Sequence, residues 1–176
     1  QPITGAILVA DEVVAVYGHQ LKKIYMIELA TGEVINSFDV PIGTTNMYFD
    51  SYNENIYVTN NKTNELSIYS QDGQIVQSIR VKNYPMSMVA NENYIYVINY
   101  KDTFLSVINK NTYEIEHEWQ IPKSSHGIDI FEDAGNYYAP GMFALSYQDN
   151  TMNIVLRSGP VGSIAEVLYT TPAIPE

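Results

Sequence analysis

A self-similar period of about forty residues constrains this chain more than any other feature. Gly32 recurs as Gly73, and Tyr57 recurs as Tyr96. Around these markers the same order of segments returns. A first apolar run (Val13–Tyr17, Asn55–Asn60, Tyr94–Asn99) is followed by a second (Lys23–Glu28, Glu65–Tyr69, Phe104–Ile108). A turn comes next (Ala30-Thr31-Gly32, Gln71-Asp72-Gly73, Asn111-Thr112), then a third run (Glu33–Val40, Gln74–Val81, Glu114–Ile121). Each unit is introduced by a further short run, Ile3–Ile7, Thr44–Tyr48, Pro85–Val89 and Ser125–Asp129. Their third positions, Gly5, Asn46, Ser87 and Gly127, keep nearly the same step from one unit to the next. A fourth copy continues as Phe143–Tyr147, Met152–Arg157 and Ile164–Tyr169, after a Gly- and Pro-bearing insertion at Ala134–Gly141 that reads as a longer loop.

The runs have strand character. They are short, bounded by Gly, Asn, Asp and Pro, and their apolar residues alternate, whereas no window shows a 3.6-residue period. The alternation places Val34, Phe38 and Val40 on one side of a strand, as it does Ile75, Ile79 and Val81, and Ile115, Trp119 and Ile121. Four strands in each forty-residue unit are the mark of a propeller blade. The predicted fold is therefore all-β: a β-propeller of four-stranded antiparallel blades, four in this chain, near 3–41, 44–82, 85–122 and 125–170. Residues 171–176 form a Pro-bearing tail or linker. A β-sandwich has a similar strand density but no reason to repeat every forty residues.

A blade hides its apolar faces against its neighbours, so an unclosed row of four leaves a naked face at each end. Three arrangements follow: a place in a larger propeller, a closed four-blade ring, or a ring of eight made by two chains. The chain opens on Gln1-Pro2 rather than Met, so processing from something longer is expected, and the tail favours a larger parent.

Composition removes several functions. The chain has 9 basic and 20 acidic side chains and a net charge of −11, and Lys22-Lys23 is the one adjacent basic pair. Nucleic acid and anionic membranes need clustered cations, so neither is an expected partner. No cysteine is present, which excludes zinc ribbons, disulfide frameworks and thiol nucleophiles. No apolar run approaches the roughly 18 residues that span a bilayer as a helix. The 15 tyrosines and abundant asparagines suit a secreted or surface protein. Asn61-Lys62-Thr63 is an N-glycosylation sequon, making Asn61 a candidate acceptor.

Ile56-Tyr-Val-Thr-Asn60, followed by Leu66-Ser-Ile-Tyr69 and the Asp72-Gly73 turn, resembles the YVTN-type β-propeller repeat of archaeal surface-layer and related extracellular proteins. The resemblance covers residues 3–122, and 125–170 with the insertion. Blade 3 has Tyr96-Val-Ile-Asn99 in the motif's place, and blade 1 has Val14-Ala-Val-Tyr17. It implies an extracellular or cell-surface propeller, with a periplasmic setting also compatible. Such a protein serves as an interaction or structural assembly module, partnered by a protein or by further blades of the same or another chain. A homo-oligomer or surface array fits the same picture.

For chemistry, the starts of the innermost strands matter most, because they rim the central channel. Thr4, Thr45, Met86 and His126 hold that place. Ser125-His-Gly-Ile128 resembles the Pro-His-Gly-Ile element of streptogramin-lyase-type propellers, in which several blades supply His or acidic groups around a divalent metal. Here one blade of four does, and a lone imidazole lacks the convergent ligands a metal needs. His117, between Glu116 and Glu118, reads as a solvated edge strand. Asp50, Asp72, Asp102, Asp133 and Asp149 read as turn formers. The strand tyrosines (Tyr48, Tyr57, Tyr69, Tyr96, Tyr100, Tyr147) read as blade packing, with a carbohydrate platform as the other use. No nucleophile elbow, P-loop or zinc-protease motif occurs. The expectation is no catalytic residue, metal or cofactor. The alternative is a propeller enzyme or enzyme subunit, lyase-like or beside a redox partner, using the channel near His126.

Overall fold

In the computed structural model, residues 2–121 are described in full, and 127–131, 142–148, 151–156 and 166–172 as backbone strands. Among the described residues sixteen strands form four sheets, the strands of each lying side by side in chain order. Blade 1 comprises β1 (Gly5–Ala10), β2 (Val13–Tyr17), β3 (Lys23–Glu28) and β4 (Val34–Asp39). Blade 2 comprises β5 (Thr44–Asp50), β6 (Asn55–Asn60), β7 (Glu65–Tyr69) and β8 (Ile75–Arg80). Blade 3 comprises β9 (Pro85–Ala90), β10 (Tyr94–Asn99), β11 (Phe104–Asn109) and β12 (Ile115–Gln120). Blade 4 comprises β13 (Gly127–Phe131), β14 (Met142–Gln148), β15 (Thr151–Leu156) and β16 (Glu166–Pro172). The innermost strands lie side by side in chain order, β1 against β5, β5 against β9 and β9 against β13.

Side-chain alternation builds the core between sheets rather than within one. Ala15, Tyr17, Ile24, Met26 and Phe38 of blade 1 meet Met47, Ile56, Val58 and Tyr69 of blade 2. The opposite face of blade 2 (Tyr57, Leu66, Ile68, Ile79) meets Met88, Ile95, Val97 and Ile108 of blade 3. Val89, Tyr96, Ile98, Leu105 and Val107 line the third seam, on the side of β13. Each fully buried aliphatic side chain contributes roughly 1.5–3 kcal/mol. Blades 2 and 3 are thus glued on both faces.

Two features depart from simple alternation. Each third-to-fourth-strand pair carries a β-bulge, at Met26/Ile27, Ile68/Tyr69, Val107/Ile108 and Ile154/Val155. The bulge separates residues that the sequence pattern groups together. Val34 and Ile75 are 57% and 66% exposed, while Phe38 and Ile79 are buried. In blade 4, β13 pairs with β14 in parallel, which corrects the expectation of antiparallel pairing throughout. A parallel pair needs a connection long enough to return along the strand, and the insertion recognised in the sequence supplies that length. β16 also continues through Thr171 and Pro172, which the sequence pattern assigns to the tail.

The repeated turns are set by backbone chemistry. Between third and fourth strands one position is left-handed in three blades: Gly32 (φ 73°), Gly73 (φ 86°) and Tyr113 (φ 60°). The motif asparagine has a structural role too. Asn60, 3% exposed, donates through Nδ2 to the carbonyls of Pro41 and Ile42 (both 3.0 Å) and accepts at Oδ1 from Lys62 N (2.8 Å) and Thr63 N (3.1 Å). One amide therefore ties the blade-1-to-blade-2 connection to a turn of blade 2. Asn99, at the equivalent strand end of blade 3, is used differently: its amide stays within the β10–β11 pair, donating to Val97 O, Phe104 O and Ser106 Oγ. Asn60→Ala strands several of these backbone groups and is expected to cost about 2–4 kcal/mol. Urea unfolding should show a lower midpoint at unchanged slope.

Candidate functional site

The predicted channel rim is only partly assembled. Thr45 Oγ1 donates to Pro85 O (2.6 Å) and lies 3.0 Å from Thr59 Oγ1, so it stitches blade 2 to blade 3. Thr4 is exposed ahead of β1, and Met86 is half-buried on β9. His126 lies outside the described residues. Among the described residues no three His, Asp or Glu side chains gather at one point.

Asn61 is half-buried, and its Oδ1 stands 3.1 Å from His19 Nε2. Gln20 Nε2 contacts His19 Nδ1 at 3.1 Å. The Gln20 amide donates to Nδ1, so Nε2 carries the proton toward Asn61, and His19 links blades 1 and 2 in that tautomer. Glu118 pairs with Lys82 (3.1 Å) and Glu116 accepts from Asn109 (2.8 Å), so the glutamates flanking His117 serve separate partners.

The most unusual chemistry lies at the end of the blade 2–blade 3 seam. Asp50, 1% exposed, closes β5, and Lys110, 8% exposed, follows β11. Their side chains form a buried ion pair. Lys110 Nζ also donates to Asn91 O (2.7 Å) and sits over the Tyr52 ring, 5.0 Å from its centroid. Asp50 accepts from Tyr57 Oη (2.6 Å) and from Tyr52 N (3.0 Å), and Asn53 Nδ2 donates to Tyr57 Oη (2.8 Å). Asp50 is therefore a turn former, as its sequence position suggests, and a buried counter-ion as well. One repeat further along the chain, Asn91 and Tyr96 form the uncharged counterpart of Asp50 and Tyr57, with Nδ2 3.4 Å from Oη. Among the described residues, Asp50 and Lys110 are the one ion pair in which both partners are buried.

Burial, followed by the hydrogen bond to Asp50, pushes the Tyr57 hydroxyl far above its ordinary 10. Burial also raises Tyr17 and Tyr69. Above pH 10 the unfolded chain loses phenolic protons that the folded chain keeps, so stability falls as pH rises from that point. An alkaline titration should show phenolate absorbance from these residues appearing together with unfolding.

Beside this network a cleft of about 430 Å³ opens between the first turns of blades 2 and 3. Tyr52, 67% exposed, forms one wall; Asn55, Glu92, Asn93 and Asn111 surround it, and Lys110 lies at the base. Asn53 and Tyr113, the latter in its left-handed conformation, complete the lining. Nothing in the sequence pattern singles out Tyr52 or Lys110. The usable signal is a break in the repeat, an acid at Asp50 where the next blade has Asn91. Lys110→Met strands the buried carboxylate and is expected to cost about 3–5 kcal/mol. Adding Asp50→Asn should recover much of that loss in the same chemical denaturation assay.

A second surface stands out by comparison between blades. On the face of blade 1 turned away from blade 2, Ala6 and Leu8 are exposed and Val14 and Ile27 are half-buried, while Val16 is buried. On the matching face of blade 2, Met47, Ile56 and Tyr69 are 2%, 0% and 2% exposed. In blade 3, Met88, Ala90, Ile95 and Ile108 are all buried. The difference is what covers them: blade 1 lies over blade 2, and blade 2 over blade 3. Among the described residues, no strand of blade 4 packs closely on β1.

No family model matches the chain, and no curated protein matches it. Solved structures do. A streptogramin B lyase superposes with a TM-score of 0.63 at 17% identity, over 97% of this chain and 54% of that one. The Pan2 WD40 domain of Neurospora crassa gives 0.61 at 11% identity, over 97% and 50%. Hydrazine synthase of Kuenenia stuttgartiensis gives 0.60 at 17%, over 86% and 40%. Likeness at such identity concerns architecture: the chain has the β-propeller fold, and it spans 40–54% of the length of these three structures.

Proposed function

We propose that the chain is a non-enzymatic propeller module of the YVTN type, outside the cell or at its surface, that works through assembly. The observation carrying this reading is the open face of blade 1. Leu8 is 57% exposed, whereas its counterparts Phe49 and Ala90 are half-buried and buried. A face of that chemistry fits the opposite face of another blade, of the kind that Ala15, Ile24, Met26 and Phe38 present to blade 2. The occupant is a further blade, of the same or another chain. The acidic balance, the tyrosine- and asparagine-rich strands and the repeat motif support the extracellular setting. The WD40 likeness accords with a binding role without naming a partner.

Light scattering on the purified chain tests this. The wild type should run as a dimer or larger species at micromolar concentration. Leu8→Glu places a charge on the open face without touching the other seams, and should shift the protein to monomer with its circular dichroism unchanged. A wild type that is monomeric throughout, or an assembly indifferent to Leu8→Glu, overturns the reading.

A further inference from the structure

The cleft between blades 2 and 3 has the make-up of a ligand site. Its volume, about 430 Å³, falls within the roughly 300–1,000 Å³ of small-molecule sites. Its charge is already settled. Lys110 is neutralised by Asp50 and covered by Tyr52, leaving no free cation at the base, and Glu92 adds one negative charge. With a net charge of −11 on the chain, an anionic ligand is repelled. A divalent cation needs six or more oxygens, several of them carboxylate, and Glu92 is the one uncommitted carboxylate in the lining.

What remains is a set of neutral hydrogen-bonding groups around a flat ring. The side-chain amides of Asn55, Asn93 and Asn111 make no hydrogen bond among the described residues, and each offers donors and an acceptor. Tyr52 is held by a backbone hydrogen bond to Asp50 and by the Lys110 ammonium, yet keeps two-thirds of its surface open. A rigid exposed aromatic face with amides and a carboxylate at its edge matches a molecule with one apolar C–H face and a belt of hydroxyls. We propose that this cleft binds a neutral carbohydrate, with Tyr52 stacking on the sugar ring and Asn55, Asn93, Asn111 and Glu92 pairing with its hydroxyls. The buried Asp50–Lys110–Tyr57 network is the rigid base that fixes Tyr52 and the turns. Tyr52, Lys110 and Asp50 are positioned by blade packing, so the site forms before any ligand arrives.

The probes are glucose, maltose and N-acetylglucosamine, added to the full chain while the asparagine side-chain amides are followed by NMR. At least one sugar should give saturable shifts of the cleft amides, half-complete at roughly 1–10 mM, the weak end of the affinity scale. Tyr52→Ala should weaken binding by about tenfold or more, while Tyr52→Phe, which keeps the ring, should retain it. Asn93→Ala should weaken it independently. The idea fails if no sugar saturates the shifts, or if Tyr52→Ala binds as well as the wild type. It fails equally if glucose 6-phosphate binds more tightly than glucose, or if calcium alone produces the same shifts. Leu8→Glu should leave the sugar response intact, which separates this site from the assembly face.

Discussion

A twisted four-stranded sheet with two apolar faces cannot stand alone in water, and the rest of this structure depends on that constraint. Alternation along each strand sends half the side chains to the preceding blade and half to the following one. Ile56 and Val58 look back to blade 1 while Tyr57 looks forward to blade 3. No blade owns a core. Stability is a property of the seams, and so is the location of anything functional, because a seam is where side chains of different blades come within reach of each other.

The polar exceptions are informative because the seams are otherwise greasy. Asn60 and Asn99 end equivalent strands and both bond backbone carbonyls, Asn60 those of the connection between blades and Asn99 those of its own and the next strand. They are repeat features and belong to the fold. Asp50 is different, since its counterpart in blade 3 is neutral. A buried ion pair recovers its desolvation cost only with good geometry and further hydrogen bonds, and apolar replacements are often equally stable. Stability alone therefore gives little reason to place one here. The pair lies directly beneath the cleft between blades 2 and 3. The non-glycine Tyr113 is held left-handed at the edge of that cleft, where blades 1 and 2 have glycine.

The architecture is legible in the sequence because it is written forty residues at a time. Strand runs and turn residues recur in the same order from copy to copy, so local and global signals reinforce each other. Two details are not legible, for physical reasons. A bulge inserts one residue without any compositional mark, so Val34 and Phe38 share a side in the alternation pattern and not in the sheet. A parallel first pair in blade 4 looks the same in sequence as an antiparallel one, because strand direction is set by what the connection spans. Within the site, the channel-rim positions follow from repeat arithmetic, yet Thr45 is committed to Pro85. Tyr52 is invisible among 15 tyrosines, since exposure is a property of neighbouring turns and not of residue type.

Seams also explain why a propeller can acquire a binding site without redesigning its core. The first turn of a blade is held at its base by the innermost strand and is free at its tip. Residues there can change while the packed strands stay as they are. Tyr52, Asn55 and Asn93 occupy or border such tips, and Lys110 enters from the third-to-fourth-strand turn of blade 3. Turns of two different blades are therefore needed to frame one ligand, and their spacing is fixed by the apolar contacts of Tyr57, Leu66, Ile95 and Ile108 below them. Recognition at the surface is, in this geometry, a direct consequence of how tightly the seam beneath it is packed.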